Sequence, residues 1–318
     1  MFAGHALLAF AVVALAADRC GWSRERALAL AAVAAAFAAL PDVDMGYALV
    51  GVVGAAPGAG DALAVASAFW RTGNVVHRAV THSLLVAPGV AVAVYAAAVG
   101  ERTGSTAARV GAASAVVALS AVAAAASGAL GAAVMTIFAL GAVAAGVAVG
   151  RYTDLPPAAI AAAALFGLVS HPFGDLLTGE PPAMLYPLSA TLVAERVALH
   201  PDPTLHLLGA FLVELSTVWA AVYAYFRLTG RPIRPTVNPR AALGFGYAAS
   251  IPLIPTPTLD LSYPFVFSVL AVATVGAAPR VRPLRRTVEL PDGVTAALTG
   301  LTAVTLAALA YAAAYLVA

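Results

Sequence analysis

The chain predicts an all-α fold, a polytopic helical transmembrane bundle of about ten spans, and three observations carry that reading. Apolar residues make up 62% of the 318 positions and charged residues only 10%, against roughly 25% charged in a soluble domain. Mean hydropathy is +0.92. Apolar stretches of about 15 to 25 residues recur, long enough for a helix to satisfy its own backbone groups across hydrocarbon. They lack the apolar/polar alternation of a transmembrane β-barrel. The single cysteine, Cys20, excludes an intramolecular disulfide and any thiolate cluster. All seventeen basic residues are arginine, and they form no basic stripe of the kind that binds nucleic acid.

Taken in order, residues 3–17 read as a first span with His5 near its start. No basic residue precedes it, so it is expected to remain in the mature protein rather than be cleaved as a signal peptide. A polar link from Asp18 to Arg26 leads to a second span, Ala27 to Leu40, which Pro41 stops before Asp42-Val43-Asp44. Tyr47 to Gly60 is apolar but broken by Gly and Pro, too short to cross, and reads as re-entrant or surface-lying, with Trp70 as an interfacial anchor. A third span runs from Ala79 to Val99 and a fourth ends near Ser127-Gly128. After a tight uncharged turn the fifth covers 129–149. The sixth ends in Ser170-His171-Pro172-Phe173-Gly174-Asp175, and Gly179 to Pro203 is a polar excursion containing Glu195 and His200. Spans over 204–226 (with His206 and Glu214), 241–254, 263–278 and 293–317 complete the bundle.

Counting crossings sorts the polar residues. His5 begins span one, Asp42 and Asp44 end span two, His77 and His82 begin span three, and His171 and Asp175 end span six, so all share one face. His200 and His206 fall there too. Of the arginines only Arg71, Arg78 and Arg196 join them; the other fourteen lie opposite. By the positive-inside rule the Arg-rich face is cytoplasmic, the His/Asp face is extracytoplasmic, and both termini are outside a multi-pass cell-membrane protein. Polar residues at a membrane boundary need partners that offset desolvation. Imidazole and carboxylate without sulfur suit a divalent metal, zinc first, with manganese or magnesium as carboxylates predominate.

The spacings differ in weight. His171 and Asp175 are one helical turn apart, although Pro172 disfavours helical geometry at His171. His77 and His82 cannot share a face of one regular helix, so His77 is placed in the approach and His82 in the first turn. Asp42 and Asp44 in an extended link point to opposite sides. They either flank two ions, or one ligates while the other orients a histidine.

These residues resemble the YdjM-like (LexA-regulated) membrane-bound proteins, a family described as predicted metal-dependent hydrolases. The matching pieces are Gly4-His5, Leu40-Pro41-Asp42-Val43-Asp44, His77-Arg78-Ala79-Val80-Thr81-His82-Ser83, and Ser170-His171 followed by Asp175-Leu176-Leu177-Thr178, in the family's order. The resemblance covers about residues 1–190. It implies that His5, Asp42, Asp44, His77, His82, His171 and Asp175 are the polar residues of a metal site. Members often carry His where this chain has Met45 and Gly where it has Ala79. The chain then reads as one integral membrane domain, 1–318, with its metal-site core in 1–190 and additional spans in 191–318.

A fainter resemblance, to the helical zinc-dependent phospholipases C, implies phosphoester hydrolysis. On that analogy the expected function is hydrolysis of a lipid or lipid-linked phosphoester at the outer bilayer face by metal-activated water, with Arg78 as a phosphate clamp and Asp44 or Glu214 as general base. Glu195, His200 and His206 rank lower, since such loops gather polar residues for solvation. The alternative is a metal-binding membrane protein without turnover, a transporter or scaffold. Membrane lipid is the expected partner, nucleic acid is not, and nothing in the pattern fixes an oligomeric state.

Overall fold

The computed structural model describes residues 2–47, 53, 78–233, 236–282 and 287–317. Nine α-helices are described: α1 Phe2–Arg19, α2 Arg24–Ala39, α3 Val86–Thr103, α4 Thr106–Tyr152, α5 Pro157–Asp175, α6 Pro203–Thr229, α7 Tyr263–Ala271, α8 Thr274–Ala277 and α9 Gly293–Val317. The 3-10 runs Leu40–Tyr47, Val80–His82 and Pro239–Ser250 join them. One short antiparallel pair, β1 Arg280–Arg282 with β2 Thr287–Glu289, is the described sheet. Trp70 and nearly all of the proposed re-entrant segment lie outside the described residues.

Five of the described helical segments are long and apolar enough to cross a membrane, namely Arg24–Gly46, Thr106–Tyr152, Pro157–Asp175, Pro203–Thr229 and Gly293–Val317. The expected count was about ten. One element accounts for part of the difference. At 1.5 Å per residue the 47 residues of α4 would measure about 70 Å, over twice the hydrocarbon thickness. Gly128 breaks the element with φ +67° and ψ −161°, a conformation open to glycine. Thr136 Oγ1 then donates to Ser120 Oγ at 2.8 Å, two groups about 24 Å apart in a straight helix. The element is therefore a helical hairpin folded at the predicted Ser127-Gly128 turn.

The described residues group into two compact units, Met1–Arg196 with Ala220–Leu228, and Val197–Trp219 with Thr229–Ala318. In the first, Val33, Phe37, Val90, Val94, Met135, Phe138, Ile160 and Leu168 fill the core. Alanine and glycine let the backbones approach closely, as helices in lipid require. At Gly167 of α5 an added Cβ would collide with the Ala34 carbonyl and lie 2.7 Å from the Ala38 nitrogen of α2. That approach sets the C-terminal ends of α2 and α5 side by side.

In the second unit Leu208, Phe265, Val269, Val304 and Tyr311 form the core. The predicted eighth span, 241–254, is instead largely the 3-10 run Pro239–Ser250. Its Gly244 presses on the Ala303 backbone of α9, so this stretch is shaped by packing on a neighbouring helix. The predicted ninth span is split into α7 and α8 around Val272 and Ala273. The joined segment Tyr263–Ala277 reaches only about 22 Å, short of the hydrocarbon core.

Candidate metal centre

Four separated segments meet at one end of the first unit. His5 comes from the first turns of α1, Asp42 and Asp44 from the 3-10 run after α2, His82 from the turn before α3, and His171 and Asp175 from the end of α5. His5, His82, His171, Asp44 and Asp175 are all buried.

Local structure differs from expectation at three points. Asp42 and Asp44 lie in a 3-10 helix rather than an extended link; at three residues per turn, positions two apart still diverge. The helix of α5 continues through Pro172, so His171 and Asp175 share a face, with Nε2 and Oδ2 3.5 Å apart. His82 sits in a 3-10 turn and α3 begins only at Val86. Ser83 causes that delay, because its hydroxyl accepts from Leu85 N–H at 3.1 Å and Val86 N–H at 3.2 Å while donating to the Tyr186 carbonyl. Outside the helix yet fully enclosed, the His82 imidazole is pushed below the usual histidine pKa by burial.

The hydrogen bonds fix which ring nitrogens face the centre. His171 Nδ1 lies 2.6 Å from the Ala38 carbonyl, which can only accept, so Nδ1 carries the proton. Thr81 Oγ1 donates its one proton to Asp44 Oδ2 at 2.7 Å and lies 2.8 Å from His82 Nδ1. That nitrogen must therefore donate to the threonine oxygen. Both Nε2 atoms therefore face the centre, and they stand 3.0 Å apart.

Around these two atoms the carboxylates close in. Asp175 Oδ2 is 3.2 Å from His82 Nε2 and is buried without accepting a hydrogen bond. Asp42 Oδ1 is 3.5 Å from His171 Nε2 and 4.0 Å from His82 Nε2. Asp175 Oδ1 contacts His5 Nε2 at 3.2 Å and Arg78 Nη2 at 3.5 Å. The His5 ring packs 4.1 Å from that of His171, over Gly174, where a Cβ would lie 2.5 Å from the imidazole. Two overlapping groups, His5–His171–Asp175 and Asp42–His82–His171, have ligand atoms within 4.8 Å of one another. Ligands of a tetrahedral zinc with bonds of about 2.0 Å stand roughly 3.3 Å apart, so the donor set fits a divalent ion.

The chain belongs to the YdjM inner membrane protein family, whose model matches residues 1–233. No curated protein and no solved structure matches it. The match reaches past the 1–190 covered by the motifs and contains every residue of the centre. A membrane location follows from YdjM membership together with the apolar helices.

Among the other residues singled out for this YdjM protein, Arg78 borders the centre. Its backbone has φ +67°, rare outside glycine, and its Nη1 donates to the Glu180 carbonyl at 2.8 Å. Asp44 stands on the Nδ1 side of His82, outside both ligand groups. His77 lies outside the described residues. Glu214 and His206 are on α6, and His200 precedes it; all three belong to the second unit. His200 Nδ1 accepts from Asp202 N–H and His206 Nδ1 from Leu199 N–H, and Glu195 is exposed. Sequence reasoning passed over Thr81 and the Ala38 carbonyl. Thr81 was legible as the hydroxyl beside His82, whereas a backbone carbonyl brought in from another helix leaves no trace in sequence.

Proposed function

We propose that this YdjM protein is a metal-dependent hydrolase acting on a lipid or lipid-linked phosphoester at the outer bilayer face. The observation that carries the metal is the 3.0 Å approach of His82 Nε2 to His171 Nε2 between the Asp175 and Asp42 carboxylates, an arrangement that a cation or a shared proton would bridge. A divalent ion held by His82, His171, Asp42, Asp175 and His5 would polarise a phosphoryl oxygen and acidify a water. The chain's own groups supply the rest. Arg78 offers a planar guanidinium beside the centre for anionic oxygens, and its side chain keeps 16% of its surface open. Asp42 is also 16% exposed, against 3% for Asp175 and 0% for Asp44. It is therefore the site carboxylate that solvent reaches most readily. The phosphoester class rests on Arg78 and on the order His, Asp, His, His-x-x-x-Asp along the chain.

A second reading, a metal-stabilised scaffold, is favoured by the complete burial of His82 and His171. The discriminating experiment is turnover of a phospholipid panel by the purified, metal-loaded protein. Hydrolysis lost in His82→Ala supports the hydrolase. Bound metal with no turnover across the panel supports the scaffold.

A further inference from the structure

Resting on that cation site, we infer that Thr81 and Asp44 form a positioning relay for His82: Asp44 orients the threonine hydroxyl, the hydroxyl fixes the imidazole with its proton on Nδ1, and Nε2 is thereby presented to the cation. Thr81 is a positioning residue and Asp44 is its anchor rather than a ligand. Thr81 is buried at 4% exposure and Asp44 at 2%, and their bond is 2.7 Å. The Thr81 to His82 link is 2.8 Å. Asp44 Oδ2 is 3.5 Å from Nδ1, whereas the contacts to His171, Asp175 and Asp42 are all made by Nε2.

The relay makes the two central histidines unequal. His171 is oriented by a backbone carbonyl, an acceptor that mutation of a side chain cannot remove. Among the described residues, two side chains orient the Nδ1 side of His82, and this relay ends on a carboxylate, which strengthens the imidazole as a donor. The short reach of threonine decides why both residues are needed. At 3.5 Å, Asp44 is at the limit of a hydrogen bond to Nδ1, and the hydroxyl bridges that gap.

The test is zinc affinity, measured by competition with a chromophoric chelator on the full chain in detergent, with the melting temperature of the chelator-treated protein as a folding control. Thr81→Val, nearly isosteric but without the hydroxyl, should bind zinc about 10- to 100-fold more weakly. Thr81→Ser should stay within about threefold of the parent. Asp44→Asn, which keeps an acceptor for the hydroxyl, should lose far less affinity than Asp175→Asn. Parent-like affinity in Thr81→Val would overturn the relay, and so would a loss in Asp44→Asn as large as that in Asp175→Asn, which would make Asp44 a ligand. Thr81→Ser and Asp44→Asn decide the matter should Thr81→Val melt early. A parent that binds no zinc or manganese fails the cation site itself, a different result from a parent that binds and a relay that does not matter.

Discussion

At the scale of single residues the centre is held by a few contacts that substitution can separate. Loss of a ligand leaves a cation misplaced, and catalysis depends on atoms held within a fraction of an ångström. His171→Ala and Asp175→Ala should each lower phosphoester turnover by at least about 100-fold, and the double variant should be little worse than either, because residues acting as a unit are not additive. His200, whose ring accepts a bond within its own loop, is the control: His200→Ala should remain within a few-fold of the parent, and kcat/KM for the parent and the four variants measures this. Gly174→Ala tests packing. Its methyl would lie 2.5 Å from the His5 ring, and the forced shift should cost about 1–3 kcal/mol of stability and weaken zinc binding, read by melting and by chelator competition. Much of this centre is legible in the sequence. His5, Asp42, His82, His171 and Asp175 announce themselves as rare polar residues at the ends of apolar runs. The division of labour between Asp42 and Asp44 stays hidden, because two carboxylates one residue apart are equivalent until the partners of each oxygen are known.

At the scale of elements, the site exists because helix ends are brought together by small residues. Gly167 allows α5 to reach the backbone of α2, and that approach carries the Ala38 carbonyl to within 2.6 Å of His171 Nδ1. Gly167→Val should separate the two helices, lower the melting temperature, and reduce metal affinity although residue 167 touches no ligand; Ala163→Ser on the same helix is the control. Span boundaries are read well where polar ends or a helix breaker punctuate them, as at Ser127-Gly128. They are read poorly in the last third, where Pro239–Ser250 and Tyr263–Ala277 are apolar without being long regular helices. Hydropathy reports that such segments leave water. It does not distinguish a membrane crossing from packing against a neighbour such as α9, which Gly244 makes here.

At the scale of the whole molecule, the sorting of fourteen arginines away from the histidines that a count of spans along the sequence leads one to expect carries a prediction of orientation. In whole cells, on a Cys20→Ser background, an impermeant thiol reagent should label a cysteine placed in the Gly179 to Pro203 segment and miss one near Arg282; the reverse pattern would move the chemistry to the cytoplasm. The central claim is that four separated chain segments share a divalent cation. Binding to the folded state alone must then stabilise it by mass action, by about 2.7 kcal/mol at a free metal concentration of 100 times Kd. The most direct measurement is metal content together with thermal melting of the detergent-purified protein, before and after chelation. The account predicts bound metal, a melting temperature that falls on chelation and recovers with zinc or manganese, and an Asp175→Ala variant that no longer responds. Untreated protein without metal and a melting curve indifferent to chelator would contradict it.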